Sequence, residues 1–207
     1  MKTVIFDFDG TLADSFTLIL EIAYELTKHS VLKDKNKLQK LRELGLIEVV
    51  KQLKIPKYRW PVLLFRGRRI MNRRISEVTP VNGIQNCLKI LQDNKIPVFI
   101  MSSNSQKNIE LFLTSNDLKK YITKIYGGVG LFNKAKAFKK ILRENNFSSS
   151  EIVYIGDEPR DIEASKVHNI KCIAVSWGFN TRAVLEKHKP YNVVDNISEL
   201  TENILSL

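Results

Sequence analysis

The stretch TVIFDFDGTLAD, residues 3 to 14, joins an apolar run to three acids within eight positions. Thr3 to Phe6 are β-branched and aromatic, the make-up of a buried strand, and the run ends at Asp7, Asp9 and Gly10. Carboxylates this close repel one another, so the arrangement costs stability unless positive charge sits among them. An acidic turn built around Gly10 is the plain alternative. A calcium loop is a poorer one, because the glycine of such a loop belongs at its sixth position, where Leu12 stands here.

Outward from this strand the chain divides by texture. Residues 15 to 79 carry helical periodicity alone, in FTLILEIAYELTK, LQKLRELGLIEVVKQL and WPVLLFRGRRIMNRRI, with Trp60, Leu64, Met71 and Ile75 expected on one stripe. After Pro80 and Gly83 helices and strands alternate: IQNCLKILQD, PVFIMS, QKNIELFLTS, KIYGG, AKAFKKILREN, EIVYIG, RDIEASKV, KCIAVS and RAVLEK. Alternation of this kind specifies an α/β fold, a parallel sheet with helices on both faces and right-handed crossovers. The reading divides the chain into a core of residues 1–14 and 80–207 and an all-helical insertion at 15–79.

The composition narrows the functional classes. With 43% hydrophobic and 27% charged residues the chain is neither disordered nor a membrane protein. Its apolar runs fall short of the roughly 18 residues that span a bilayer, and the N-terminus meets acids before a signal sequence forms, so a cytoplasmic protein is expected. Cys87 and Cys172 lie far apart in apolar surroundings, as reduced buried thiols do. His29, His168 and His188 lack metal-ligand spacing. The net charge of +11 is concentrated: residues 14 to 80 hold 15 Lys and Arg against 7 Asp and Glu. One reading of that excess is an insertion that docks on nucleic acid, with the sheet either a silent scaffold or a trimmer of terminal phosphates, though nucleic acid is not the expected partner. The run Arg66, Arg68, Arg69, Arg73, Arg74 is equally a solvated helix face, or a source of guanidinium groups for an anionic substrate.

Ligands of parallel α/β sheets bind beyond the carboxyl ends of the strands. The first strand ends in Asp7 and Asp9, the second in Ser102, Ser103 and Asn104, and EIVYIG ends in Asp157, Glu158 and Asp161, while Lys134 opens the helix before EIVYIG. Acid clusters from distant positions, meeting at one edge, form the hard oxygen site that Mg²⁺ prefers. A carboxylate there is able to attack phosphorus, and a second acid to move the proton. Lys134 competes with Lys136 for the cationic role, and Ser102, Ser103 and Ser105 all compete to cap the following helix.

DFDGTLADS resembles the first motif of the haloacid dehalogenase superfamily. The apolar strand with Ser103 and Asn104, Lys134 in FNKAKAFKKIL, and YIGDEPRDIEASK resemble its second, third and fourth motifs, in order. VSWGFNTR, residues 175 to 182, resembles the phosphoglycolate-phosphatase-like branch. The resemblance implies a Rossmann-like sheet with a helical cap inserted after the first motif, and a Mg²⁺-dependent phosphatase acting on a small phosphorylated metabolite. It further implies that Asp7 is the nucleophile, Asp9 the general acid/base, and Asp7, Asp9, Asp157 and Asp161 the metal set, with Asp161 acting through water and Glu158 undecided. Gly10, Thr11, Ser103, Asn104 and Lys134 are the implied phosphate-binding residues, with Ser103 and Lys134 also catalytic and Thr11 supporting the Asp9 loop. Dehalogenases of the superfamily lack the second acid, so Asp9 argues against that chemistry. A phosphomutase or phosphotransferase using the same acids is the nearest alternative.

Overall fold

The computed structural model describes residues 2–29, 42–44, 55–130 and 133–207. Six parallel strands, β1 (Thr3–Phe6), β2 (Val98–Met101), β3 (Lys124–Tyr126), β4 (Ile152–Gly156), β5 (Lys171–Val175) and β6 (Asn192–Val194), lie in the order β3-β2-β1-β4-β5-β6. Between and after them run α3 (Ile84–Asp93), α4 (Gln106–Ser115), α5 (Lys134–Asn145), α6 (Pro159–Lys166), α7 (Arg182–Lys187) and α8 (Ile197–Leu205). The α/β class expected from the alternation is the observed one. β6 and α8 extend the alternation past RAVLEK, beyond the elements expected from the sequence.

Strands covered on both faces need apolar side chains in both pleat directions, which is why β1, β2 and β4 are continuous buried runs. Alternate residues serve opposite layers. Val4, Phe6, Ile100, Val153 and Ile155 pack with Leu88 and Leu91 of α3, Phe112 of α4 and Leu200 of α8. Ile5, Phe99, Met101, Tyr154 and Cys172 face Phe138 and Ile141 of α5 and Ile162 of α6. Both cysteines are buried thiols.

Between β1 and α3 the described residues contain helices alone, α1 (Phe16–Thr27) and α2 (Trp60–Arg74) followed by a 3₁₀ turn at Ile75–Glu77. The chain departs and returns through a paired neck: Ala13 bridges Pro80, the Asp14 N–H donates to Thr79 O at 2.9 Å and the Val81 N–H to Leu12 O at 3.0 Å. The expected helix LQKLRELGLIEVVKQL lies outside the described residues, apart from 42–44. The α2 stripe differs from the expected one. Met71 and Ile75 are buried, but Leu64 is 42% exposed. Gly67 lies on the inner face instead, against Leu26 and Ile22 of α1.

Register fixes where the strands end. Phe6 pairs with both Ile100 and Ile155, so Asp7 is level with Met101 and Gly156, and its N–H still donates to Ile155 O at 2.8 Å. Phe8, between the two acids, is fully buried and meets Phe112 edge-on at 5.0 Å. The Phe in DFD is therefore a core anchor that pins the acidic loop. Phe112→Ala is expected to destabilise the protein by about 3–5 kcal/mol through the cavity it leaves, read as a lowered urea midpoint with an unchanged m-value.

Candidate active site

The acids gather around one ammonium. Lys134, the first residue of α5, is 3% exposed and donates to Asp7 Oδ2 at 2.5 Å, to Tyr154 Oη at 2.9 Å and to Asp161 Oδ1. Its three donors are thereby all used. The Tyr154 hydroxyl in turn donates to Asp161 Oδ1 at 3.1 Å, and Asp161 Oδ2 accepts the Glu158 N–H at 3.1 Å, closing the first turn of α6. Asp7 Oδ1 accepts the N–H of Phe8 at 2.7 Å.

Asp157, one residue past β4, is fully buried. It accepts the Thr11 hydroxyl at 2.9 Å and the Phe179 N–H at 2.7 Å. Two glycines make room for it. A Cβ on Gly10, whose φ of +75° already favours glycine, or on Gly178 would overlap the Asp157 carboxylate. Asp7, Asp157 and Asp161 each bring a carboxylate oxygen within 4.8 Å of the others. Asp9 is held separately, by the Asn104 amide at 3.3 and 3.2 Å from its two oxygens.

Burial raises the Asp7 carboxyl to about 7; Lys134 opposes the rise and Asp161 adds to it. Burial likewise raises Asp9, with Asn104 among the groups opposing it. Asp157 is lifted well above the carboxylate range by burial and by neighbouring Glu158 and Asp7. Burial works against the Lys134 charge, but Asp161 and Asp7 outweigh it and raise its pKa. Asp7 and Asp161 thus share one ammonium with Asp157 in the same cluster, and the excess of carboxylates suits a divalent cation with hard oxygen ligands.

The remaining expected residues are distributed as follows. The helix cap belongs to Ser105, whose Oγ accepts the Asn108 N–H at 3.2 Å. Ser102 is buried and accepts the Asn104 N–H at 3.0 Å, whereas Ser103 is partly exposed. Lys136 is exposed. Glu158 pairs with Arg160, whose Nε lies 2.9 Å from Glu158 Oε1. His168 and His188 bond Ala135 O and Glu163, away from the acids. Arg74 is engaged by Glu77 and Glu21, while Arg66, Arg68, Arg69 and Arg73 are exposed.

Several contributors carried no signal that the sequence reading used. Tyr154 reads as an ordinary strand residue, and its only advertisement is a hydroxyl in a run that is otherwise apolar. Arg160 holds Glu158, and its charge lowers the pKa of both Asp7 and Asp9. Arg42 donates to Gly178 O at 2.8 Å and Ser176 O at 3.3 Å, and Asn180 donates to Leu44 O at 2.7 Å. Residues 42–44 thereby lean on the loop that presents Phe179 to Asp157.

Ionisable groups with displaced pKa values, gathered at the carboxyl edge of a parallel sheet, define an α/β enzyme. The chain belongs to the haloacid dehalogenase-like hydrolase family, whose model matches residues 4–175. It is 28% identical to a phosphoglycolate phosphatase of Synechococcus elongatus, over 100% of this chain and 99% of that one. Its fold is that of a predicted phosphatase from Clostridium acetobutylicum, with a TM-score of 0.81 at 21% identity over 100% and 99% of the two chains. A Thermotoga maritima chain described as a β-phosphoglucomutase matches with a TM-score of 0.71 at 19% identity, over all of both chains.

Gly178→Ala is expected to displace Asp157 from Thr11 and Phe179 and to cost about 1–3 kcal/mol. Gly67→Ala, whose added Cβ meets only ordinary contacts beyond 3.4 Å, is expected to be neutral or stabilising by up to about 1 kcal/mol. Parallel urea titrations of the two variants check both.

Proposed function

We propose that this protein is a Mg²⁺-dependent phosphomonoesterase that hydrolyses a small phosphorylated metabolite in the cytoplasm through a phospho-Asp7 intermediate. The observation that carries the reading is the shared ammonium: Lys134 buried between Asp7 and Asp161, with Asp157 inside the same 4.8 Å cluster. Structural pairing needs one carboxylate per cation, and here the acids are in excess.

The cluster fits a hard divalent ion by donor type and by charge. Asp7, Asp157 and Asp161, with the main chain of Asp9, are the groups that would hold Mg²⁺. When bound, the ion supplies positive charge to the phosphoryl oxygens. Asp7 forms a bond to phosphorus as the bond to the leaving oxygen breaks, and Asp9 gives that oxygen its proton. Asp9 then takes a proton from water, which attacks the phospho-Asp7 and releases inorganic phosphate. Lys134 holds Asp7 in place and offsets charge on the transferring group. Ser103 is assigned to the phosphate oxygens, whereas the Gly10 and Thr11 N–H groups are engaged within the turn, on Ala13 O at 2.9 Å and Phe8 O at 3.3 Å.

Residues 15–79 serve in this reading as a cap that closes over the crevice, excludes bulk water and contributes selectivity. Exposed Arg66, Arg68, Arg69 and Arg73 suit an anionic group remote from the phosphate. Phosphoglycolate is the first substrate to test, on the full-length similarity to the Synechococcus elongatus enzyme. Among the described residues no helix is long and apolar enough to cross a membrane.

Asp7→Asn is expected to reduce Mg²⁺-dependent release of phosphate from 4-nitrophenyl phosphate by about four orders of magnitude or more. Full activity in that variant removes the covalent mechanism. Release of an isomeric sugar phosphate without inorganic phosphate would instead favour the mutase.

The folded Asp7 carboxyl titrates at about 7 and the ordinary value is 3.8, so between those values the native state holds a proton that the unfolded chain releases. Stability without metal therefore falls as pH rises across that window. Millimolar Mg²⁺ is expected to raise Tm by about 5 °C at pH 7.5 and by clearly less at pH 5. A Mg²⁺ effect equal at both pH values contradicts the assignment.

A further inference from the structure

A line of side-chain amides connects the inserted helices to Asp9. Asn72, on the exposed face of α2, accepts through Oδ1 from Asn108 Nδ2 at 2.6 Å. The same Asn108 nitrogen donates to Asn104 Oδ1 at 2.9 Å, and Asn104 Nδ2 reaches both Asp9 oxygens at 3.3 and 3.2 Å. Asn108 is 3% and Asn104 8% exposed, so water is a poor substitute for these partners.

The direction of the line is fixed by its ends. Asn104 Oδ1 also accepts the Ser105 N–H at 2.9 Å, so two donors hold that side of the amide. A flipped Asn104 would set its oxygen against a carboxylate and its NH₂ against two donors. Asn108 spends both amide hydrogens, one on Asn72 and one on Asn104. Its hold on Asn104 thus depends on an acceptor supplied from the insertion.

We propose that Asn72, Asn108 and Asn104 form a relay of positioning residues that orients the Asp9 carboxylate only while the end of α2, with the 3₁₀ turn Ile75–Glu77 that follows it, is seated on α4. The inference builds on the phosphatase reading, in which Asp9 moves the proton. With α2 withdrawn, Asn108 loses one acceptor and is able to turn from Asn104, and Asp9 is then held less firmly by the Asn104 amide that reaches both of its oxygens. Closure then does more than cover the crevice: it aligns the acid for the leaving group. An enzyme so arranged transfers protons efficiently only when the insertion is seated.

The test uses the full chain with two substitutions on the insertion. Asn72→Leu removes the acceptor and is expected to lower kcat toward phosphoglycolate, whose alkoxide leaving group needs a proton, about tenfold or more, with KM within about twofold and a smaller loss toward 4-nitrophenyl phosphate, whose phenolate leaves without one. Asn72→Asp keeps an acceptor oxygen and is expected to restore kcat to within about threefold of wild type. A merely structural role moves Tm in both variants and leaves this split absent. The second measurement is independent of activity: in protein labelled with ¹⁵N-asparagine, the Asn104 side-chain amide signals shift in Asn72→Leu and remain in place in Asn72→Asp. Unmoved Asn104 signals in Asn72→Leu overturn the relay whatever the kinetics, and moved signals with unchanged kcat overturn its part in proton transfer. Equal loss of kcat in the Leu and Asp variants overturns it as well. A wild-type protein without phosphatase activity refutes the proposed reaction, and the amide signals then still decide whether the relay exists.

Discussion

One buried ammonium organises the molecule. Withdrawing Lys134, Asp7 and Asp161 from water costs several kcal/mol per charge, and only close pairing with every hydrogen bond made offsets it. That requirement is topological. Asp7 follows β1, Asp161 lies in the first turn of α6 after β4, and Lys134 begins α5, so the three meet only if β1 and β4 are neighbours and α5 starts at the carboxyl edge of the sheet. In the observed order β1 sits between β2 and β4, at the point where strand order reverses direction from the centre. Crevices open there in doubly wound sheets. The electrostatic need and the geometric opening coincide.

Around that centre, small and apolar residues matter as much as the charged ones. Phe8 fixes the spacing of Asp7 and Asp9 by burying its ring against Phe112. Gly10 and Gly178 leave the volume that the Asp157 carboxylate fills, and Thr11 and Phe179 each donate to one of its oxygens, leaving lone pairs on both. The basic character of the insertion has a divided origin. Arg74 is structural, clamped by Glu77 and Glu21, whereas Arg66, Arg68, Arg69 and Arg73 remain at the surface.

Much of the sheet was legible because two-sided burial writes itself as apolar runs, and the acids were legible because they stand at the ends of those runs. The misses have physical causes. β6 is three residues at an edge, one of them exposed, so no run forms, and α8 follows immediately. Apolar periodicity ranks leucine above glycine and so puts Leu64 on the inner stripe of α2; the contact with α1 is made at Gly67 instead. Tyr154 passed for a strand former, since its role depends on Lys134 twenty positions earlier. Arg42 has partners 134 and 136 positions away, beyond any local pattern.

The paired neck at Ala13 and Pro80 has a wider consequence. Because the two crossings lie side by side, joined by backbone hydrogen bonds on either side of the bridge, the sheet experiences the excursion between them as little more than a loop of fixed width. Its length and content are invisible to the strand register. A lineage is free to lengthen, shorten or rebuild that excursion without shifting the strands, provided the few residues that reach the chemistry beneath, Arg42 and Asn72 among them, are kept or replaced in kind.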